Sequence, residues 1–387
     1  MRKYSKQTAA IHSGVKRSQF GELSEALYLT QCFAYETAED AERRFKEPRD
    51  DEFVYARYGS PTVSMFEERI SAIEGAEAAF STASGMAAVS GALMAILKAG
   101  DHIVSARALF GSCHYVVDSI LSKFGVEVTF VNGSDVGEWS AAVRDNTKVL
   151  FFESIANPTL ELVDIVAVSE IGHSVGAYVV ADNAFATPVY SKALEQGADL
   201  VCYSATKHID GQGRAMGGVI LGSRKLIEGP IKTFMRHTGG CMSAFNAWIM
   251  LKSLETLELR VRTQTANALT LAQTLEGKGY RIIYPGLESH PQHDLCMRQH
   301  GAGGTIFSIV LKNKDAAFAC LNKLRIFAIS NNVGDAKSIA THPSTTTHQR
   351  MTEEQRLSAG ITPGLLRMSV GLESADDLLA DVLGALE

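Results

Sequence analysis

The chain has 387 residues, more than one hydrophobic core usually serves, so two domains, or one domain with a substantial extension, are expected. Lys plus Arg number 37 against 43 Asp plus Glu, a formal charge of −6 with no block of five like charges, which argues against nucleic acid and anionic membranes as partners. Cys32, Cys113, Cys202, Cys241, Cys296 and Cys320 show neither a CxxC pair nor zinc-type spacing, and no signal-peptide core or eighteen-residue apolar run is present, so reduced thiols, no metal, no membrane and a cytoplasmic location are expected.

Residues 1–58 are polar, aromatic and turn-prone without sustained periodicity, and are expected to form an arm packed on something else. Regular pattern begins with Ser60-Pro61, an N-cap followed by proline at the first helical position. Val63, Phe66, Ile70 and Ile73 then repeat at helical spacing up to Gly75. A helix rich in small residues is expected from about Ser84 to Lys98. Apolar runs at 102 (HIVSA), 126 (VEVTFV), 148 (KVLFFES), 177 (AYVVAD), 199 (DLVCYS) and 217 (GGVILG) follow, with a helix near 165–175 among them. That alternation predicts an α/β unit over 59–245, a mostly parallel sheet covered by helices on both faces. Past about 245 the Leu-rich stretch from Trp248 to Leu275, a strand at TIFSIVL and a last helix opened by a capping box at Ser374-Ala375-Asp376-Asp377 predict a smaller α+β domain over 246–387.

Ligands of such sheets collect beyond the carboxyl ends of the strands, where Glu153, Asp182 and the cluster Ser204-Ala205-Thr206-Lys207 fall. A carboxylate that keeps a pyridine nitrogen protonated and a lysine that anchors the cofactor covalently are what a pyridine-ring cofactor needs. The same residues also read as a helix N-cap and a solvated loop lysine. The loop Ser81-Thr82-Ala83-Ser84-Gly85-Met86 lies directly before a helix, whose free amides suit a phosphate, with Ser204 and Thr206 adding hydroxyls; ordinary capping is the alternative reading.

Tyr55-Ala56-Arg57-Tyr58-Gly59-Ser60-Pro61-Thr62, TASGM at 82–86, VVADNAFATP at 179–188, SATK at 204–207 and LLRMSVGLE at 365–373 occur in one order across nearly the whole chain. Together they resemble the Cys/Met-metabolism family of pyridoxal-phosphate enzymes. The resemblance implies a fold-type-I PLP-transferase-like architecture with pyridoxal 5'-phosphate carried on Lys207. It implies that Asp182 pairs with the ring nitrogen, and that Ser84, Gly85, Met86, Ser204 and Thr206 surround the phosphate. Tyr55 and Arg57 match residues that reach that phosphate from the neighbouring subunit, which implies a dimeric catalytic unit, paired into a tetramer. Arg367 matches the arginine that takes the substrate α-carboxylate, and Asn157 the asparagine beside the cofactor hydroxyl.

Three departures separate the chain from the lyase-like members. His208-Ile209-Asp210-Gly211-Gln212-Gly213-Arg214 follows the lysine where many relatives carry a Gly-Gly-His-Ser-Asp-like run. SNNVGDAKSIATHPSTTTH at 330–348 puts Asn332 where many have a serine near the substrate. Both segments resemble the sulfhydrylases, and the chain length favours their O-succinylhomoserine branch. The third departure is Phe110, at the position of a ring that stacks on the cofactor and is tyrosine in many members. A stacking ring remains but a proton-carrying hydroxyl is gone, which suits a carboxylate leaving group better than a thiolate. The implied reaction is γ-replacement of O-succinylhomoserine by sulfide, giving homocysteine and succinate. Cystathionine γ-synthase, methionine γ-lyase and O-acetylhomoserine sulfhydrylase activities are the alternatives, and a non-catalytic cofactor-binding scaffold is a further one.

Overall fold

The computed structural model describes residues 4–49, 51–190 and 192–387. In chain order the first seven strands are β1 Ala78–Thr82, β2 His102–Ala106, β3 Glu127–Val131, β4 Thr147–Glu153, β5 Tyr178–Asp182, β6 Leu200–Ser204 and β7 Gly218–Gly222. They form one sheet in the order β1-β7-β6-β5-β4-β2-β3. The pairings among β3, β2, β4, β5 and β6 are parallel, while β7 runs antiparallel to both β6 and β1. The α/β class and the mostly parallel sheet are as expected.

Alternating side chains of these strands feed two separate cores, one on each face. Leu150, Phe152, Val179, Val201 and Leu221 enter one with the helix Pro61–Glu74, and Val149, Phe151, Val180, Leu200 and Ile220 enter the other with the helix Gly85–Ile96. Burial on both faces explains why the strands read as unbroken apolar runs. The six apolar runs each hold one strand, but β1 escapes a periodicity search because AAFST is short and small; it is nevertheless fully buried.

Helix punctuation follows the sequence closely at Pro61–Glu74, where the Ser60 side chain accepts from the Val63 amide and Gly75 closes the helix at φ 85°. The expected capping box at Ser374 does not form: the final helix Ala375–Leu386 has Ser374 at its N-cap without a side-chain capping bond. A reciprocal box needs the reach of Glu or Gln at the third helical position, and Asp377 is one methylene too short; Asp376 and Asp377 still offset the positive end of the helix.

A second sheet combines β8 Arg281–Ile283, β9 Ile306–Val310, β10 Ala328–Ile329, β11 Ile339–Thr341 and β12 Leu365–Ser369 in the order β10-β11-β12-β9-β8. Its core joins Phe307, Ile309, Leu366 and Met368 to Leu271, Leu275, Leu378 and Val382 from helices on one side. Ala247, Met250, Leu254 and Val261 still belong to the first core, so the change of core falls within the 21-residue helix Leu257–Gly277. Before residue 59 the helix Lys6–His12 buries Ala9 and Ala10, whereas the helix Ala38–Lys46 buries nothing and Phe20 and Leu23 are 84% and 88% exposed.

Candidate functional site

The carboxyl ends of β4, β5 and β6 open into a cavity of about 430 Å³ that Arg367 of β12 and Asn332, in the loop before β11, border from the other side. Ser81, Thr82, Ala83 and Ala205 of the quoted segments do not line it; Glu153, Phe110 and every residue given a cofactor or substrate role by the resemblance do, except Tyr55 and Arg57. Those two lie elsewhere in their own chain: the Arg57 guanidinium rests 4.9 Å from the Tyr58 ring centre and donates to the Arg236 carbonyl, and Arg57 borders a separate cleft of about 790 Å³.

Strand register sets the floor of the cavity. Glu153 and Asp182, the last residues of β4 and β5, are direct partners in the parallel pairing. Asp182 Oδ1 accepts from the Ala184 amide at 3.1 Å, and the Cys113 thiol lies 3.8 Å from Oδ2. Glu153 accepts from the Phe110 amide at 2.5 Å through one oxygen and from the Asn157 amide at 2.8 Å through the other. Burial raises the pKa of both carboxyl groups, and the neighbouring Asp182 raises that of Glu153 further. Cys113, Glu153 and Asp182 lie close enough together to hold a metal ion, but three of the four carboxyl oxygens already accept amides.

Lys207 follows β6 by three residues. Its Nζ donates to Asn332 Oδ1 at 2.6 Å, and burial, with the Arg367 charge behind it, pushes its pKa down to about 8. Arg367 sits mid-strand on β12, paired with Ser308 of β9 and Thr341 of β11. It is 2% exposed. Nη1 donates to Asn157 Oδ1 at 2.8 Å, Nη2 donates to the carbonyls of Asn331 and Asn332 at 3.0 and 3.2 Å, and buried Nε has no partner among the described residues. Among the described residues no carboxylate pairs with it, and burial lowers its pKa to about 10. A fully desolvated arginine without a counter-ion is an anion site in waiting.

At the opposite end, Ser84 caps the helix Gly85–Ile96 by accepting from the Ala87 amide, and the first amides of a helix have no intrahelical acceptor. Gly85 packs so tightly on Ser204 that an added Cβ would meet that side chain at 2.5 Å. The Thr206 hydroxyl is tied to the backbone of Gly217. These features form a small-residue cradle with helix-end donors at one side of the cavity, a buried carboxyl and a lysine at its floor, and an unanswered guanidinium at the other side. A pyridoxal phosphate needs such a set of partners, and the residues present fit it.

Sequence reasoning left Glu153 without a role and did not reach Cys113, Phe185, Met216, Asn331 or Thr347, all of which line the cavity. Glu153 carried a signal, a charged residue closing a buried strand. Cys113 and Met216 carried none, because apolar and weakly polar wall residues look like core.

The family model for "Cys/Met metabolism PLP-dependent enzyme" matches residues 7–387. O-succinylhomoserine sulfhydrylase of Mycobacterium tuberculosis is 51% identical over 389 aligned residues, covering 99% of this chain and 96% of the relative. The protein of the same name from Pseudomonas aeruginosa is 44% identical over 98% and 94%. Among solved structures, a Campylobacter jejuni protein described as an O-acetylhomoserine (thiol)-lyase superposes with a TM-score of 0.95 at 27% identity, covering 99% of this chain and 100% of that one, and it carries a pyridoxyl-lysine-monophosphate residue. With a matching model along almost its whole length and relatives aligned end to end, the chain belongs to the Cys/Met-metabolism family of PLP-dependent enzymes.

Proposed function

We propose that the chain catalyses γ-replacement on O-succinylhomoserine: the Cγ–O bond breaks, succinate leaves with the bonding pair, and hydrosulfide forms the new Cγ–S bond of homocysteine. The observation that carries the reading is the meeting of Lys207, Asp182 and Arg367 in one cavity of a chain 51% identical to an O-succinylhomoserine sulfhydrylase.

Bound in the cavity, pyridoxal phosphate supplies an electron sink for the α-carbon of an attached amino acid. In this reading Ser84, Gly85, Met86, Ser204 and Thr206 hold the phosphate, Phe110 stacks on the ring, and Asp182 favours a protonated ring nitrogen. Lys207 anchors the cofactor and afterwards takes and returns protons at the α- and β-carbons, a task suited to an amine whose pKa lies near 8. Arg367 takes the substrate α-carboxylate, oriented by Asn157, and Asn332 positions the Lys207 amine.

The ring at the stacking position is Phe110, which has no hydroxyl, and among the described residues no tyrosine of the same chain lines the cavity. Succinate is stable unprotonated near neutral pH and needs no acid, whereas a departing thiolate gains from one. That favours ester substitution over thioether cleavage. Tyr55 and Arg57 complete the phosphate site of an adjacent subunit, so the catalytic unit is a dimer, and dimers pair into a tetramer. Six unpaired cysteines suit a reducing cytoplasm.

The test offers the purified enzyme O-succinyl- or O-acetylhomoserine with sulfide or cysteine, and methionine alone. Homocysteine from the succinyl ester and sulfide as the fastest product supports the proposal. Faster cystathionine formation from cysteine, or 2-oxobutyrate from methionine, overturns it in favour of the synthase or the lyase.

A further inference from the structure

We propose that Glu153 is a positioning residue that fixes both the ring-stacking wall and the carboxylate-binding arginine of the cavity. The proposal rests on the reading of the site given above, but it arises from a separate feature, a glutamate whose two oxygens hold two different loops. Glu153 leaves the end of β4 at 5% exposure. One oxygen accepts the amide of Phe110, the residue at which the loop after β2 turns into the short helix Gly111–Tyr115. The other accepts the amide of Asn157, four residues further along its own chain. Asn157 in turn holds Arg367 Nη1 through its side chain.

One rigid strand end therefore sets the position of the Phe110 backbone and, through Asn157, of the Arg367 guanidinium. A carboxyl group is the chemical group for the task because both amides are donors and each needs an acceptor. Glutamine cannot replace it. It keeps shape and volume but offers one acceptor oxygen, and its NH2 would face a backbone N–H, so one of the two loops must let go. Among the described residues the Glu153 carboxyl bonds the amides of Phe110 and Asn157 and makes no hydrogen bond to Arg367, so its effect on the guanidinium has to travel through Asn157.

The experiment compares wild type with Glu153→Gln, Asn157→Ala and the double variant, each as purified holoenzyme. Cofactor content, visible circular dichroism of the bound cofactor, thermal midpoint, and kcat and KM for O-succinylhomoserine are read. Glu153→Gln is expected to bind cofactor stoichiometrically, to show an altered visible dichroism, and to raise KM roughly tenfold with a smaller effect on kcat, the order of one lost hydrogen bond. Because both substitutions act on Arg367 through one path, the double variant should show little more KM increase than Asn157→Ala alone. Wild-type KM and dichroism in Glu153→Gln would overturn the proposal, whatever happens to the thermal midpoint, since a merely structural residue changes stability alone. Fully additive KM effects would overturn it too. If Glu153→Gln does not fold, Glu153→Asp, with both oxygens but a shorter reach, must show the same dichroism change and KM increase. Absence of turnover in wild type would count against the proposed reaction, and the dichroism comparison would still judge Glu153.

Discussion

Lys207 Nζ donates to Asn332 Oδ1 at 2.6 Å across 125 residues of sequence, joining the end of the large sheet to the loop before β11 of the small one. The amine therefore sits against a neutral acceptor and faces the uncompensated guanidinium of Arg367, and together with burial this sets its pKa near 8 rather than 10.5.

Capture of the cofactor aldehyde needs the neutral amine. With the pKa lowered to about 8, the fraction of neutral Lys207 increases with pH through that value and saturates above it. The rate at which apoenzyme binds pyridoxal phosphate covalently, followed by absorbance, should rise up to about pH 8 and level off. A rise continuing toward pH 10 would show a lysine with ordinary solvation.

Asp182→Asn should retain the cofactor yet turn over roughly 100-fold more slowly, the order seen when one preorganised electrostatic partner is removed. The amide is isosteric and can keep its bond from the Ala184 amide, but it carries no charge to favour a protonated ring nitrogen. Turnover at the wild-type rate with stoichiometric cofactor would mean that Asp182 does not serve the ring.

Much of this was legible in the sequence, for identifiable reasons. Strands buried on both faces must be apolar runs, so polar residues closing β4, β5 and β6 stood out as Glu153, Asp182 and Ser204. The capping and proline signals at Ser60-Pro61 marked a helix because they are local. What stayed hidden is long-range or weakly marked. The Lys207–Asn332 and Arg367–Asn157 contacts join distant segments, and no spacing rule reports them. The two-loop bond of Glu153 depends on where backbone amides point, which side-chain identity does not encode. β1 was missed because alanine and serine carry little strand propensity.

Arg57 and Tyr55 are absent from the cavity lining in their own chain, and the proposed dimer supplies them from the neighbour. Mixing inactive Arg57→Ala with inactive Lys207→Ala subunits should then restore activity. A mixed dimer holds one site with both defects and one with neither, so random exchange in equal amounts should return about a quarter of maximal activity. No recovery despite demonstrated exchange would mean that each chain builds its phosphate site alone.

The most direct measurement concerns Lys207 itself. Borohydride reduction of the holoenzyme followed by peptide mapping should place the pyridoxyl label on the peptide containing Lys207. Lys207→Ala should fold to the wild-type thermal midpoint, take up no reducible label and lose turnover by more than about 1,000-fold, because one amine is both anchor and proton carrier. Label on another lysine, or turnover near wild type in Lys207→Ala, would contradict the account.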